Sequence, residues 1–229
     1  MYIFDIILNS LKLIFSFDPL LYNIIFLSLK VSLSSLIFSS TFALILGFFL
    51  ALNNFFLKNT LVIILNSLMG IPPVVVGLIV YFLLARDGPL GVLEILYTPY
   101  AMIIAQSIII FPIVSSLSHQ VFSNNWKDYK DHFRAFNIPI FGVLIIILRN
   151  SYILIITILL SAFGRAISEV GAVMIVGGNI ENYTRVMTTA ITLETRMGNL
   201  NYAMALGLIL ILLTILINAF VYVINLRNR

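Results

Sequence analysis

With 61% hydrophobic residues, 10% charged residues and a mean hydropathy of +1.11, the 229-residue chain is far from the roughly 25% charged composition of a soluble domain. Its length holds about five spans of roughly 20 residues and leaves no room for a separate soluble catalytic domain, so one membrane domain over residues 1–229 is expected. The net charge of +4 comes from basic residues scattered through apolar sequence, which points to membrane orientation rather than nucleic acid, and zero cysteines exclude disulfides and thiolate metal sites.

Residues 1–17 lack the positive start and cleavage site of a signal peptide, since Asp5 precedes Lys12. Ile3, Ile6, Ile7, Leu11, Ile14 and Phe15 with Asp5, Asn9 and Lys12 opposite predict an amphipathic helix along the membrane surface. Apolar runs follow at Ile24 to Leu50, Leu61 to Leu84, Tyr100 to Leu117, Tyr152 to Val176 and Tyr202 to Leu226, each long enough to cross. The expected fold is all-α and polytopic. Placing residues 124–150 in the cytoplasm puts Lys58, Lys127, Lys130, Arg134, Arg149, Arg227 and Arg229 inside against Lys12, Arg86, Arg185 and Arg196 outside. That bias predicts an external N-terminus and an internal C-terminus.

The first run carries Ser28, Ser32, Ser34, Ser35, Ser39, Ser40 and Thr41, small hydroxyls that suit close helix packing, and Lys30 can snorkel outward. In the second, Gly70-Ile71-Pro72-Pro73 must kink or break the helix, either as ordinary shape or as part of a binding site or gate. Pro112 in the third run reads as shape, Gln106 as a helix–helix hydrogen bond, and residues 86–91 as a turn.

Between Asn125 and Asn137, Trp126, Tyr129, Phe133 and Phe136 recur at helical spacing among Lys127, Asp128, Lys130, Asp131 and Arg134. A short amphipathic helix is predicted, ended by Asn137 and Pro139. Its aromatic stripe suits a lipid surface or a groove on another protein, and periodicity alone does not choose.

The run GRAISEVGAVMIVGGNI, from Gly164 to Ile180, sets Arg165 and Glu169 inside apolar sequence. A charge at the bilayer centre costs roughly 2.5 to 3.5 kcal/mol on insertion scales, so such residues face a bundle interior or a pathway. Four apart, the two are expected on one helix face, as an internal ion pair or, the favoured reading, as a pair facing a pathway. Gly171, Gly177 and Gly178 suit close helix approach or a bend, and Asn179 a helix end. The Thr-rich segment from Asn182 to Met197 reads as a solvated loop helix ahead of the alternative, a polar external surface that guides a dianion or touches a binding protein. No nucleophile and base constellation, metal pair or phosphate-binding loop is visible, so neither a catalytic nor a metal site is expected.

The stretch from Gly164 to Ile180, followed by Tyr183-Thr184-Arg185-Val186-Met187-Thr188-Thr189-Ala190-Ile191 and Leu193-Glu194-Thr195, resembles the membrane subunit of bacterial ABC importers for tungstate, a branch close to the molybdate and sulfate permeases. Ile71-Pro72-Pro73-Val74-Val75-Val76-Gly77-Leu78 and Gly88-Pro89-Leu90-Gly91 carry the likeness over most of the chain. The resemblance implies a type I ABC importer permease of the cytoplasmic (inner) membrane, present in two copies. It further implies two cytoplasmic ATPase subunits that bind ATP and Mg, and an external oxyanion-binding protein. On it rest a coupling role for residues 125–137, with Trp126, Tyr129, Asp131, Phe133, Arg134, Phe136 and Asn137 meeting the ATPase, and a pathway or gate at Pro72, Pro73, Arg165, Glu169, Gly171, Gly177, Gly178 and Asn179. The family's coupling pattern of Glu-Ala-Ala, three residues and Gly is met at Asp131 to Asn137 only by the acidic first residue. Molybdate or sulfate uptake, and a non-transporting membrane anchor that recruits a soluble partner, are the alternatives.

Overall fold

A computed structural model describes residues 2–226, and every regular element among them is helical. In chain order these are α1 (Tyr2–Phe15), α2 (Pro19–Leu52), α3 (Lys58–Leu68), α4 (Pro73–Leu84), a 3-10 turn at Gly91–Leu93, α5 (Pro99–Ala135), α6 (Ile140–Ile167), α7 (Gly171–Gly177), α8 (Met187–Met197) and α9 (Leu200–Leu226). Arg227 and Arg229, which enter the charge bias above, lie outside the described residues. Three helices begin on a proline, Pro19, Pro73 and Pro99, where the missing N–H would have had no partner anyway. At α2 the Asp18 carboxylate adds a cap, accepting from Leu20 N at 2.9 Å and Leu21 N at 3.0 Å.

By length and composition α2, α5, α6 and α9 can each cross a membrane, and α3 with α4 form a fifth segment bent by 104° at Met69–Pro72. Phe26, Ile37, Phe38, Phe42 and Ile45 of α2 stand exposed, as side chains facing lipid do. The opposite face of α2 is small and polar. Ser28, Ser32, Ser35 and Ser39 are buried there, and Ser39 Oγ donates to Ser107 O of α5 at 3.0 Å. Gln106 ties three helices together: its Nε2 donates to Ala166 O of α6 at 2.9 Å and its Oε1 accepts from Ser35 Oγ at 3.0 Å, which is the helix–helix bond expected of it.

Three expectations need correction. The predicted third span and the separate helix at residues 125–137 are one element, α5, whose 37 residues make a rod of roughly 55 Å. Residues 118–124 hold neither Gly nor Pro, and Phe122 is fully buried, so nothing interrupts the helix there. Conversely, Tyr152 to Val176 is not one span. It is the second half of α6, a break at Ser168–Val170, and α7. The Thr-rich segment is not wholly solvated either: Met187, Thr188, Thr189 and Ala190 at the start of α8 are buried, with Met187 N donating to Ser28 Oγ at 2.7 Å.

Three apolar clusters fill the interior. One joins α4, α5 and α7, one joins α2, α5 and α6, and one gathers α2, α6, α8 and α9 with Leu13 and Ile14 of α1 packed against it. The amphipathic α1 is held to α9 by Ser10, buried, whose Oγ donates to Asn201 O at 2.8 Å.

Candidate translocation site

Two interrupted segments lie side by side. Pro72 is extended, with φ −63° and ψ 122°, and Pro73 opens α4; α7 starts at Gly171 after the break at Ser168–Val170. The two short helices cross on glycine: a Cβ on Gly77 would sit 2.7 Å from Ala172 Cα, and one on Gly171 would sit 2.5 Å from Val74 Cγ2. Val76, Val80, Ala172, Val173 and Val176 close the seam against Met102 and Ala105 of α5. Of the predicted pathway residues, Gly171 meets Val74, next in sequence to Pro72-Pro73, at this crossing, and Glu169 reaches it through the Ala172 amide. Discontinuous helices at such crossings are where membrane transporters place their moving and ligand-binding parts.

Glu169 sits in the break itself, not on the face of α6 that carries Arg165, because the helix ends at Ile167. Its carboxylate is 4% exposed and is held from the α7 side, Oε1 accepting from Ala172 N at 3.1 Å. Arg165 Nη1 stands 3.9 Å from Glu169 Oε2, with the Arg side chain 40% exposed. A contact that long between such unequally buried groups is weak, so the cap on α7 is the main anchor of the carboxylate. The backbone is held as well, since Thr188 Oγ1 of α8 donates to Glu169 O at 2.7 Å. Nothing in the spacing of the sequence places Thr188 beside Glu169, and that partner was missed.

Gly177, Gly178 and Asn179 lie at the far end of α7. Gly178 and Asn179 have φ of 69° and 52°, the left-handed turn that ends the helix, and a Cβ on Gly178 would come within 2.8 Å of the Tyr97 ring. Thr184 Oγ1 donates to Gly177 O at 2.6 Å and accepts from Ile180 N at 2.9 Å, closing the turn.

From the break, a polar stripe runs up α6. Thr157, Ser161, Gly164, Arg165 and Ser168 recur at three- and four-residue intervals, and Ser161 and Ser168 are exposed. The hydroxyls bond back to Ile153 O, Thr157 O and Gly164 O, which satisfies them without a partner helix. Ser161 and Gly164 also line a crevice of about 250 Å³ with Thr214 and Asn218 of α9. The stripe was legible from spacing alone, although only Arg165 in it was singled out.

The predicted docking residues stand at the far end of α5 and divide into two sets. Phe133 is 6% exposed, stacks on Trp126 with centroids 6.0 Å apart, and packs with it among Val143 and Ile147 of α6. Tyr129, Asp131, Arg134, Phe136 and Asn137 remain exposed. The aromatic stripe is therefore not a free ridge, because half of it is core. Asn137 has φ 47° and ends the helix as its residue type suggests. Among the described residues no three His, Asp or Glu side chains converge on a metal-sized site.

The profile of the family described as "binding-protein-dependent transport system inner membrane component" matches residues 43–229. The tungstate uptake system permease protein TupB of Peptoclostridium acidaminophilum is 42% identical over 93% of this chain and 93% of its own length. A probable anion ABC transporter permease protein of Haloferax volcanii is 39% identical over 87% of this chain and 88% of its own, and the TupB protein of Campylobacter jejuni 35% over 95% and 91%. The family match spans the broken α3–α4 pair, the α6–α7 break and the glycine crossing between them. The chain belongs to the family of inner membrane components of binding-protein-dependent transport systems.

Proposed function

We propose that the chain is the permease of an ABC importer that takes up an oxyanion, with tungstate the first candidate. The observation that carries this reading is the likeness to two tungstate uptake permeases and one anion permease over about nine-tenths of the chain or more. Arg165 at the end of α6 supports it, since a half-exposed arginine in a spanning segment needs a polar neighbour. A second copy of the chain supplies that neighbour, and the anion passes between the two. The N-terminus is outside and the C-terminus inside the inner membrane, as the Lys and Arg bias favours.

Transport in this scheme is alternating access. A separate ATPase pair binds ATP and Mg and closes, and an external binding protein delivers the anion. The exposed tip of α5, with Tyr129, Asp131, Phe136 and Asn137, takes up the ATPase movement, and the α4–α7 crossing yields to it. Each ligand drives the change only by preferring one state. Glu169 belongs to the moving gate, with the α7 cap made or broken as the two short helices shift.

Competition uptake of labelled tungstate against molybdate and sulfate, with the binding protein present, tests the substrate. Tungstate winning at equal concentration is the expected result. Molybdate or sulfate winning reassigns the substrate, and no uptake of any of the three in a complex that still hydrolyses ATP removes the transport reading.

A further inference from the structure

A cleft of about 310 Å³ opens between the α2–α3 connection and the last turns of α5, and four cations surround it: Lys58, Lys127, Lys130 and Arg134. Among the described residues no carboxylate lines it. The spacing of residues 127, 130 and 134 puts them on one flank of α5; Asp131, four residues from Lys127 and three from Arg134, borders that flank and Asp128 stands further round, and neither lines the cleft. Among the described residues the ion pairs are Arg165 with Glu169 and Arg185 with Glu181, so none of the four cations has a carboxylate partner. Lys58 is fixed only by a neutral group, donating from Nζ to Asn54 Oδ1 at 3.2 Å. Four like charges around one cavity repel unless an anion sits among them.

The lip of the cleft says which anion. Between the lining residues Asn54 and Lys58 the chain carries Phe55, Phe56 and Leu57, and Phe56 is 99% exposed. A fully exposed phenylalanine beside a cationic hollow, at the end of spanning helices, offers acyl chains an apolar surface next to a seat for a phosphate. We propose that this cleft binds the phosphate headgroup of an anionic phospholipid from the adjoining leaflet. A free oxyanion shares the headgroup chemistry but has no use for the apolar lip. That the leaflet is the cytoplasmic one rests on the orientation proposed above; the binding itself does not.

Trp126, the only tryptophan in the chain, lines the cleft and reports on it. The full chain in phosphatidylcholine vesicles is given small fractions of phosphatidylglycerol or of further phosphatidylcholine, each brominated on the acyl chains, and quenching of Trp126 is measured. Brominated phosphatidylglycerol should associate at least about fivefold more strongly, and the preference should fall in K127Q and be lost in K58Q/K127Q. Both variants change side chains at the water-facing end, and a size-exclusion profile like the wild type's shows that they fold. Equal quenching by the two lipids, or a preference untouched in K58Q/K127Q, overturns the proposal. So does loss of the preference in millimolar inorganic phosphate, which identifies a free anion as the occupant. The assay needs no transport, so its failure leaves the permease reading standing, and failed uptake leaves this one.

Discussion

α5 carries a proline in its middle and does not break, whereas the segment from Ile140 to Gly177 has none and does. The comparison shows that in this chain a lone proline is neither sufficient nor necessary to stop a spanning helix. Pro112 removes one backbone donor, but α5 is walled in on several sides, with Ile109, Ile110 and Val114 buried around the proline, and packing holds the rod together across the gap. At Ser168–Val170 the reverse holds. Glu169 gives the α7 amide at Ala172 a better acceptor than the preceding turn does, Thr188 takes the Glu169 carbonyl, and Gly171 allows α4 to come close. A break appears where side chains take over the backbone's hydrogen bonds, and a rod persists where they do not. At Pro72-Pro73 two adjacent prolines leave packing nothing to bridge.

The largest way to test that contrast is to remove what holds the rod. Phe133→Ala empties a site 6% exposed between α5 and α6 and should cost about 3 to 4 kcal/mol, read as a much lower unfolding midpoint in detergent. Phe136→Ser, three residues on and exposed, should change stability by under about 0.5 kcal/mol while lowering the yield of copurifying ATPase. If both leave the midpoint alone, the lower part of α5 is not held by this core. Next in size is Gly77→Val, which drives a branched side chain into the Ala172 backbone and should cost about 2 to 3 kcal/mol. A neutral outcome there means that α4 and α7 do not touch as described.

Glu169 allows the break itself to be taken apart. Glu169→Ala leaves the Ala172 amide uncapped and should destabilise the fold by about 1 to 2 kcal/mol. Glu169→Gln keeps an oxygen for that amide and removes the charge near Arg165, so its stability loss should be the smaller of the two while uptake drops at least about tenfold. Equal stability loss in both variants contradicts a cap and favours the ion pair as the anchor. Unchanged uptake in Glu169→Gln with full folding removes the carboxylate from the gate.

How much of this was legible depended on whether the signal was local. The apolar runs, the break at Pro72-Pro73, the Asn137 stop and the Gln106 bond could all be read from residue type and spacing, because each is set within a turn or two of helix. The ends of α6 could not. Val170 to Gly177 continues an apolar run without punctuation, and what stops the helix is a carboxylate that curls onto Ala172 and a threonine 19 residues downstream. The union of the third span with residues 125–137 escaped for a related reason. The sequence changes from apolar to charged near Asn124, and a helix can pass such a change unbroken. The aromatic stripe misled in its orientation: four aromatics on one arc look like a single surface, but Trp126 and Phe133 spend theirs on α6.

The smallest effect belongs to the proline that did not break its helix. If packing rather than backbone bonding carries α5 across residue 112, restoring the amide with Pro112→Ala recovers one hydrogen bond and gives up a few buried carbon contacts, and the two should nearly cancel. The expected shift in stability is within about 1 kcal/mol, measured by denaturant midpoint in detergent against the wild type. A gain of several kcal/mol shows that the proline strains α5 and that the rod persists despite its packing. A loss of that size, with uptake impaired, shows that the ring shapes the interface with α3, where Asn66 accepts a hydrogen bond from Ser116 one turn further along α5. Either result moves the boundary between the rigid and the yielding part of the permease from the α6–α7 break into α5 itself.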